Sequence, residues 1–216
     1  MQAPITPAAE VRMLALGDSY TIGEGVAESD RWPVRLAAML RARVGSVASP
    51  VIVAKTGWTT DELSAGIDAA KPAGTYGLVT LLIGVNNQYR GRSAHEYRTQ
   101  FQALLARAIA FAESRASRVI VVSIPDWGVT PFAKKSGRDP AKIQSEINAF
   151  NAINREETLR AGARYVDITP MSRRAATEGD LVAGDGLHPS ASMYAEWARL
   201  ALPVAEEALG GGRGGP

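Results

Sequence analysis

Three side chains in this sequence, Ser19, His188 and Asp185, have the types and spacing that acyl transfer needs. Ser19 stands in Leu14-Ala15-Leu16-Gly17-Asp18-Ser19-Tyr20-Thr21, an apolar run that stops at a glycine and is followed by hydroxyls. A serine hydroxyl becomes a nucleophile only beside a general base, and an imidazole base works best when a carboxylate fixes its tautomer and stabilises the imidazolium. The chain has two histidines. His95 falls in the first turn of a helix begun by Ser93, where solvent is its expected neighbour. His188 follows Asp185 by three residues across Gly186, so the carboxylate can fold back onto a ring nitrogen, and Pro189 stiffens the exit. Each motif alone has a plainer reading: Asp18 and Ser19 can cap a turn, and Asp185 and His188 can satisfy backbone groups in a loop. Asp167 competes for the acid role, and the short tether to His188 favours Asp185.

Acyl transfer also needs donors aimed at a developing oxyanion. Gly57 and Asn86 qualify by position, since each directly follows a predicted strand: Gly57 offers a backbone N–H at close approach, Asn86 a side-chain amide. A strand-to-helix turn at Gly57 and an Asx-turn at Asn86 are the alternatives. Trp127 and Phe132 are candidates to line an acyl pocket, and Arg90 and Arg92, beside Asn86, to meet a phosphate or carboxylate. Packed-down loop aromatics and solvated arginines are the alternatives there.

The elements that must position these groups are legible from periodicity. Apolar strands are expected at 11–16, 51–54, 78–83, 119–124 and 165–168. Between them lie helical stripes: Trp32, Leu36, Met39 and Leu40 after an Asp30 N-cap; Leu63, Ile67 and Ala70 after the capping box Thr59/Glu62; Tyr97, Phe101, Leu104, Leu105, Ala108 and Ala112 after Ser93/Glu96. Asp139-Pro140 opens a helix carrying Ile143, Ile147, Phe150 and Ile153 and ending near Gly162, and the last helix turns Met193, Trp197, Leu200 and Ala201 inward. Residues 125–139 and 169–186 show no period. Five strand–helix alternations predict an α/β fold, a parallel sheet with helices on both faces. Ser19, Gly57 and Asn86 then share the carboxyl edge of that sheet, where α/β proteins bind ligands.

With 216 residues and 46% hydrophobic content, one domain over 1–209 with a flexible Gly-rich tail at 210–216 is expected. The 24 basic and 22 acidic residues nearly cancel, which favours no nucleic-acid partner. Without cysteine there is no disulfide, thiolate nucleophile or cysteine metal site. No basic start followed by an apolar run is visible in residues 1–10, and no stretch reaches membrane-spanning length, so a cytoplasmic protein without integral membrane association is the expectation.

In sequence order, Gly17-Asp18-Ser19-Tyr20, Gly57, Gly84-Val85-Asn86-Asn87 and Asp185-Gly186-Leu187-His188-Pro189 resemble the four conserved blocks of the SGNH branch of the GDSL esterase/lipase family. The resemblance implies a flavodoxin-like three-layer α/β/α fold with a five-stranded parallel sheet. It also implies Ser19 as nucleophile, His188 as base, Asp185 as acid, and the Ser19 N–H, Gly57 N–H and Asn86 amide as oxyanion donors, with no cofactor or metal. One departure stands out: the family's third block commonly ends in Asp, here Asn87. The expected function is hydrolysis of small-molecule carboxylic esters, of short-chain acyl, aryl or lysophospholipid type, through an acyl-enzyme. Carbohydrate O-deacetylation and thioester cleavage would use the same residues. Outside the hydrolases, the hydroxyl-rich turn Ser19-Tyr20-Thr21 could hold a flavin phosphate at a helix N-terminus, a reading that leaves Asp185 and His188 without a task. An inactive binding descendant of the esterase fold would not need every catalytic position filled.

Overall fold

The computed structural model describes residues 10–210. The expected tail beyond Gly210 lies outside the described residues. Five strands, β1 (Met13–Gly17), β2 (Val51–Ala54), β3 (Leu78–Leu82), β4 (Val119–Val122) and β5 (Arg164–Val166), form one parallel sheet in the order β2-β1-β3-β4-β5. Every residue of β1, β3 and β4 is buried. Helices cover both faces of a parallel sheet, so its inner strands read as nearly continuous apolar runs, interrupted by Thr80 in β3, and not as an alternation. The edge strand β2 is only partly buried.

In chain order the helices are α1 (Ser19–Ile22), α2 (Trp32–Val44), α3 (Thr60–Ala70), α4 (Val85–Tyr89), α5 (Ala94–Phe111), α6 (Pro131–Ser136), α7 (Pro140–Arg160), α8 (Thr169–Arg173) and α9 (Ala191–Ala208). α2 packs on α9 on one side of the sheet, and α5 packs on α3 and α7 on the other. The two sides meet at the β1/β3 boundary, because the connection leaving β1 runs to β2 while the later ones run the opposite way. Such a reversal opens a crevice at the carboxyl ends of the strands. Gly17 pairs with both Ala54 and Leu82, so β1, β2 and β3 end at one level and their following loops share one rim. Gly17 is a point of close approach: a Cβ there would fall onto Thr21 and the Leu82 carbonyl.

The expected architecture is present, with local differences. Asp30 does not cap α2; its carboxylate pairs with Arg35 at 2.6 Å, and Arg31 occupies the N-cap position. Leu200, expected inward, is 41% exposed, since the buried stripe of α9 runs through Met193, Tyr194, Trp197, Ala198 and Ala201. Residues 125–139 hold the short helix α6, capped by Thr130 with Pro131 in its first turn, and 169–186 hold α8. Both are too short to display a period. The Thr59/Glu62 box is formed in full, and Asp139 caps α7.

Candidate active site

β1 delivers Ser19 to the first turn of α1, where Asp18 is the N-cap and accepts the Tyr20 N–H at 3.0 Å. Ser19 shares a cavity of about 190 Å³ with Tyr20, Gly57, Val85, Asn86, Tyr89, Trp127, Phe132, Leu187 and His188. Five chain segments, following β1, β2, β3 and β4 and preceding α9, thus converge on one crevice. Trp127 and Phe132 form an aromatic wall with Tyr89, the Tyr89 and Trp127 ring centroids lying 5.4 Å apart and those of Trp127 and Phe132 6.0 Å apart.

The loop carrying His188 is organised by Asp185. One carboxylate oxygen lies 2.7 Å from His188 Nδ1, and the other accepts the Leu187 and His188 N–H groups at 2.8 and 2.9 Å. Partial burial works to raise the Asp185 pKa, but the His188 hydrogen bond and the two backbone N–H groups outweigh it and hold the carboxyl below the usual range. The imidazole also meets the Tyr20 ring edge-on at 5.6 Å. With Nδ1 on the carboxylate, Nε2 is the nitrogen left to face a substrate. Ser19 and His188 line the same cavity without a direct hydrogen bond, a contact that commonly tightens only with substrate bound.

Among the described residues, neither the Ser19 nor the Gly57 N–H has an acceptor. Gly57 sits at φ +86°, in the left-handed region. The Asn86 amide donates one hydrogen to the Trp58 carbonyl at 2.9 Å and keeps a second for the cavity it lines. The neighbouring Asn87 is fully buried and turned away: its Oδ1 accepts the Thr60 N–H at 3.1 Å and its Nδ2 donates to Thr60 Oγ1 at 2.7 Å. Full burial pushes the Asp18 carboxyl up to about 7, and its Oδ2 has no partner among the described residues.

A profile of the GDSL-like lipase/acylhydrolase family matches residues 15–196, from the middle of β1 into α9. The chain belongs to this family. Among solved structures, this hydrolase is similar to TesA, with TM-score 0.72 and 18% identity over 92% of this chain and 99% of that one. It is similar to a lipase/acylhydrolase from Enterococcus faecalis, with TM-score 0.67 and 19% identity over 92% and 95%. A third is the acetylxylan esterase Axe2 from Geobacillus stearothermophilus, with TM-score 0.65 and 15% identity over 93% and 94%. At these identities the likeness is one of fold. The comparison with curated proteins finds no match.

Within this GDSL-family site the sequence-derived candidates separate. Ser19, Gly57, Asn86, His188, Trp127 and Phe132 border the cavity, with Asp185 behind His188. Asp167 does not join them; its carboxylate accepts Ser123 Oγ at 2.9 Å and the Thr169 N–H at 3.0 Å. Arg90 and Arg92 do not border the Ser19 cavity. The Arg90 guanidinium binds the Gly57 carbonyl and Glu62, and Arg92 binds Asp61 and Glu96. His95 is exposed. Tyr89 and Leu187 were missed, although the spacing of Tyr89 three residues after Asn86 on one helix was a usable signal. Among the described residues no three His, Asp or Glu side chains gather to hold a metal, and no helix is long and apolar enough to cross a membrane.

Proposed function

We propose that this chain hydrolyses carboxylic esters of small molecules through an acyl-enzyme on Ser19, within one catalytic domain over 1–209. The observation that carries the reading is the shared cavity: Ser19, Gly57, Asn86 and His188 border it, and Asp185 engages the far nitrogen of the imidazole at 2.7 Å. Ser19 Oγ attacks the ester carbonyl as His188 Nε2 takes its proton. The tetrahedral oxyanion accepts hydrogen bonds from the Ser19 N–H, the Gly57 N–H and the Asn86 amide. His188 then protonates the leaving alcohol, the C–O bond breaks, and a water deprotonated by His188 releases the acid and restores Ser19. Asp185 remains ionised and stabilises the imidazolium, in keeping with its lowered pKa.

The aromatic wall and the small volume suit a short acyl or aryl group better than a long chain, because pockets for drug-sized ligands run to about 300–1,000 Å³. A sugar acetate would fit the same volume, and the fold likeness to Axe2 lends that second reading support. The test is turnover of p-nitrophenyl acetate together with labelling by a fluorophosphonate. Wild type should turn over and be labelled, and Ser19→Ala should lose both. Undiminished hydrolysis by purified Ser19→Ala would end this assignment.

A further inference from the structure

Gly57 has no Cβ to confine its backbone, and the space around it is open: an added Cβ would meet only Arg90 Nη2, at 3.8 Å. The Trp58 N–H donates to the Lys55 carbonyl at 3.2 Å and closes a turn in which Gly57 takes φ +86°, the conformation that sets the direction of its N–H, with no side chain packed against its Cα. What surrounds it is polar. Arg90 Nη2 donates to the Gly57 carbonyl at 2.7 Å, and Nη1 donates to Glu62 Oε1 at 3.1 Å. The other Glu62 oxygen is already occupied by the Thr59 N–H at 2.9 Å, at the start of α3. The Arg90 backbone N–H, in turn, donates to the Asn86 carbonyl at 3.0 Å. One residue thus touches both cavity-lining amide donors, Gly57 through its side chain and Asn86 through its main chain.

We propose that Arg90 is a positioning residue that holds the Gly57 turn against α4, so that the Gly57 N–H and the Asn86 amide face the same oxyanion. This rests on the ester-hydrolase reading above. The exposed Arg90–Glu62 pair contributes little to stability, so the consequence of the network lies in geometry. Glu62 aims the guanidinium, the guanidinium fixes the 57–58 peptide, and substrate need not touch Arg90. A group that orients a transition-state donor acts on kcat and leaves ground-state binding nearly unchanged.

Arg90→Ala, assayed on p-nitrophenyl acetate, is expected to lose about 10- to 100-fold in kcat with KM held within about twofold. That is somewhat less than the roughly 10²- to 10³-fold loss typical of deleting a donor outright. Arg90→Lys should recover part of the loss, since an ammonium can reach the carbonyl but cannot present the planar fork. Added guanidinium should raise kcat of Arg90→Ala and leave wild type unchanged. If Arg90→Ala does not fold, Arg90→Gln is read by the same split. An unchanged kcat, or a rise in KM larger than the fall in kcat, overturns the proposal. Wild type that neither hydrolyses the ester nor reacts with the fluorophosphonate removes the function and this inference together; active wild type beside an undiminished Arg90→Ala removes only the inference.

Discussion

Asp185 and Asp167 are both late carboxylates near the carboxyl edge of the sheet, and their hydrogen bonds separate them. Asp185 reaches His188 Nδ1 at 2.7 Å, whereas Asp167 is bound by Ser123 and Thr169. Asp185→Asn should therefore cut ester turnover by orders of magnitude, and Asp167→Asn should leave kcat near wild type; steady-state assays of both variants check this, and the reverse pattern would reassign the acid. Asp18 makes a different demand. Its pKa is raised from 3.8 to about 7 by burial, so between those values the folded chain binds more protons than the unfolded one. Stability then falls as pH rises through that window. Asp18→Asn keeps an acceptor for the Tyr20 N–H and removes the titration, so the melting temperature of wild type relative to that of the variant should turn downward as pH rises from 4 to 8. Asp185 has the opposite sign: its depressed pKa contributes stability above the ordinary carboxylate range that is lost as pH falls through the lowered value.

Single elements carry the next level. The α4 segment is laced to the start of α3 through Asn86 to Trp58, Asn87 to Thr60, Arg90 to Gly57 and Arg92 to Asp61. Asn87, the departure from the family's usual Asp, fits this setting because Thr60 presents it with both a donor and an acceptor. The Thr60 hydroxyl already donates to Gln100, so its oxygen needs a hydrogen from residue 87. Asn87→Asp would set a carboxylate oxygen against that lone pair in a fully buried place, and a loss of about 1–3 kcal/mol is expected in urea unfolding. The long helices were readable beforehand because period and caps agree, as at Thr59/Glu62. Asp30 misled because its acceptor strength suggested a cap, while the fold brings Arg35 within 2.6 Å of it. The partner of Arg90 was hidden for a related reason: sequence displays a cation beside Asn86 but not the carbonyl of Gly57 that the crossover delivers to it.

Across the whole molecule, the order β2-β1-β3-β4-β5 lets residues at positions 19, 57, 86 and 188 meet. The five alternating elements and the parallel sheet were legible, and the motifs marked which strand ends matter; the strand order itself comes only from the structure. The cavity wall was less legible, because Tyr89, Trp127 and Phe132 meet only through packing of α4, the turn Trp127–Val129 and α6, none of which has a readable period. Tyr89 also borders a second, larger cavity of about 590 Å³ shared with Arg138, Lys142 and Ile143, and the Arg138 guanidinium lies 4.2 Å from the centre of its ring. The tyrosine is thus a partition between a small chamber at Ser19 and a roomier one beyond. Wild type should prefer acetyl and butyryl over octanoyl p-nitrophenyl esters, and Tyr89→Ala should shift the kcat/KM profile toward the longer chains. A profile unmoved by that substitution would show that the partition does not set chain length.

The Phe132 N–H donates to the Gly186 carbonyl at 2.9 Å, joining α6 to the turn between Asp185 and His188. In the proposed mechanism this would gear selectivity and proton transfer to each other: lengthening or shortening the 130–137 segment would tug on the imidazole as well as reshape the cavity. On that reading, enlarging the cavity for bulkier esters is better done by trimming side chains than by splicing backbone here.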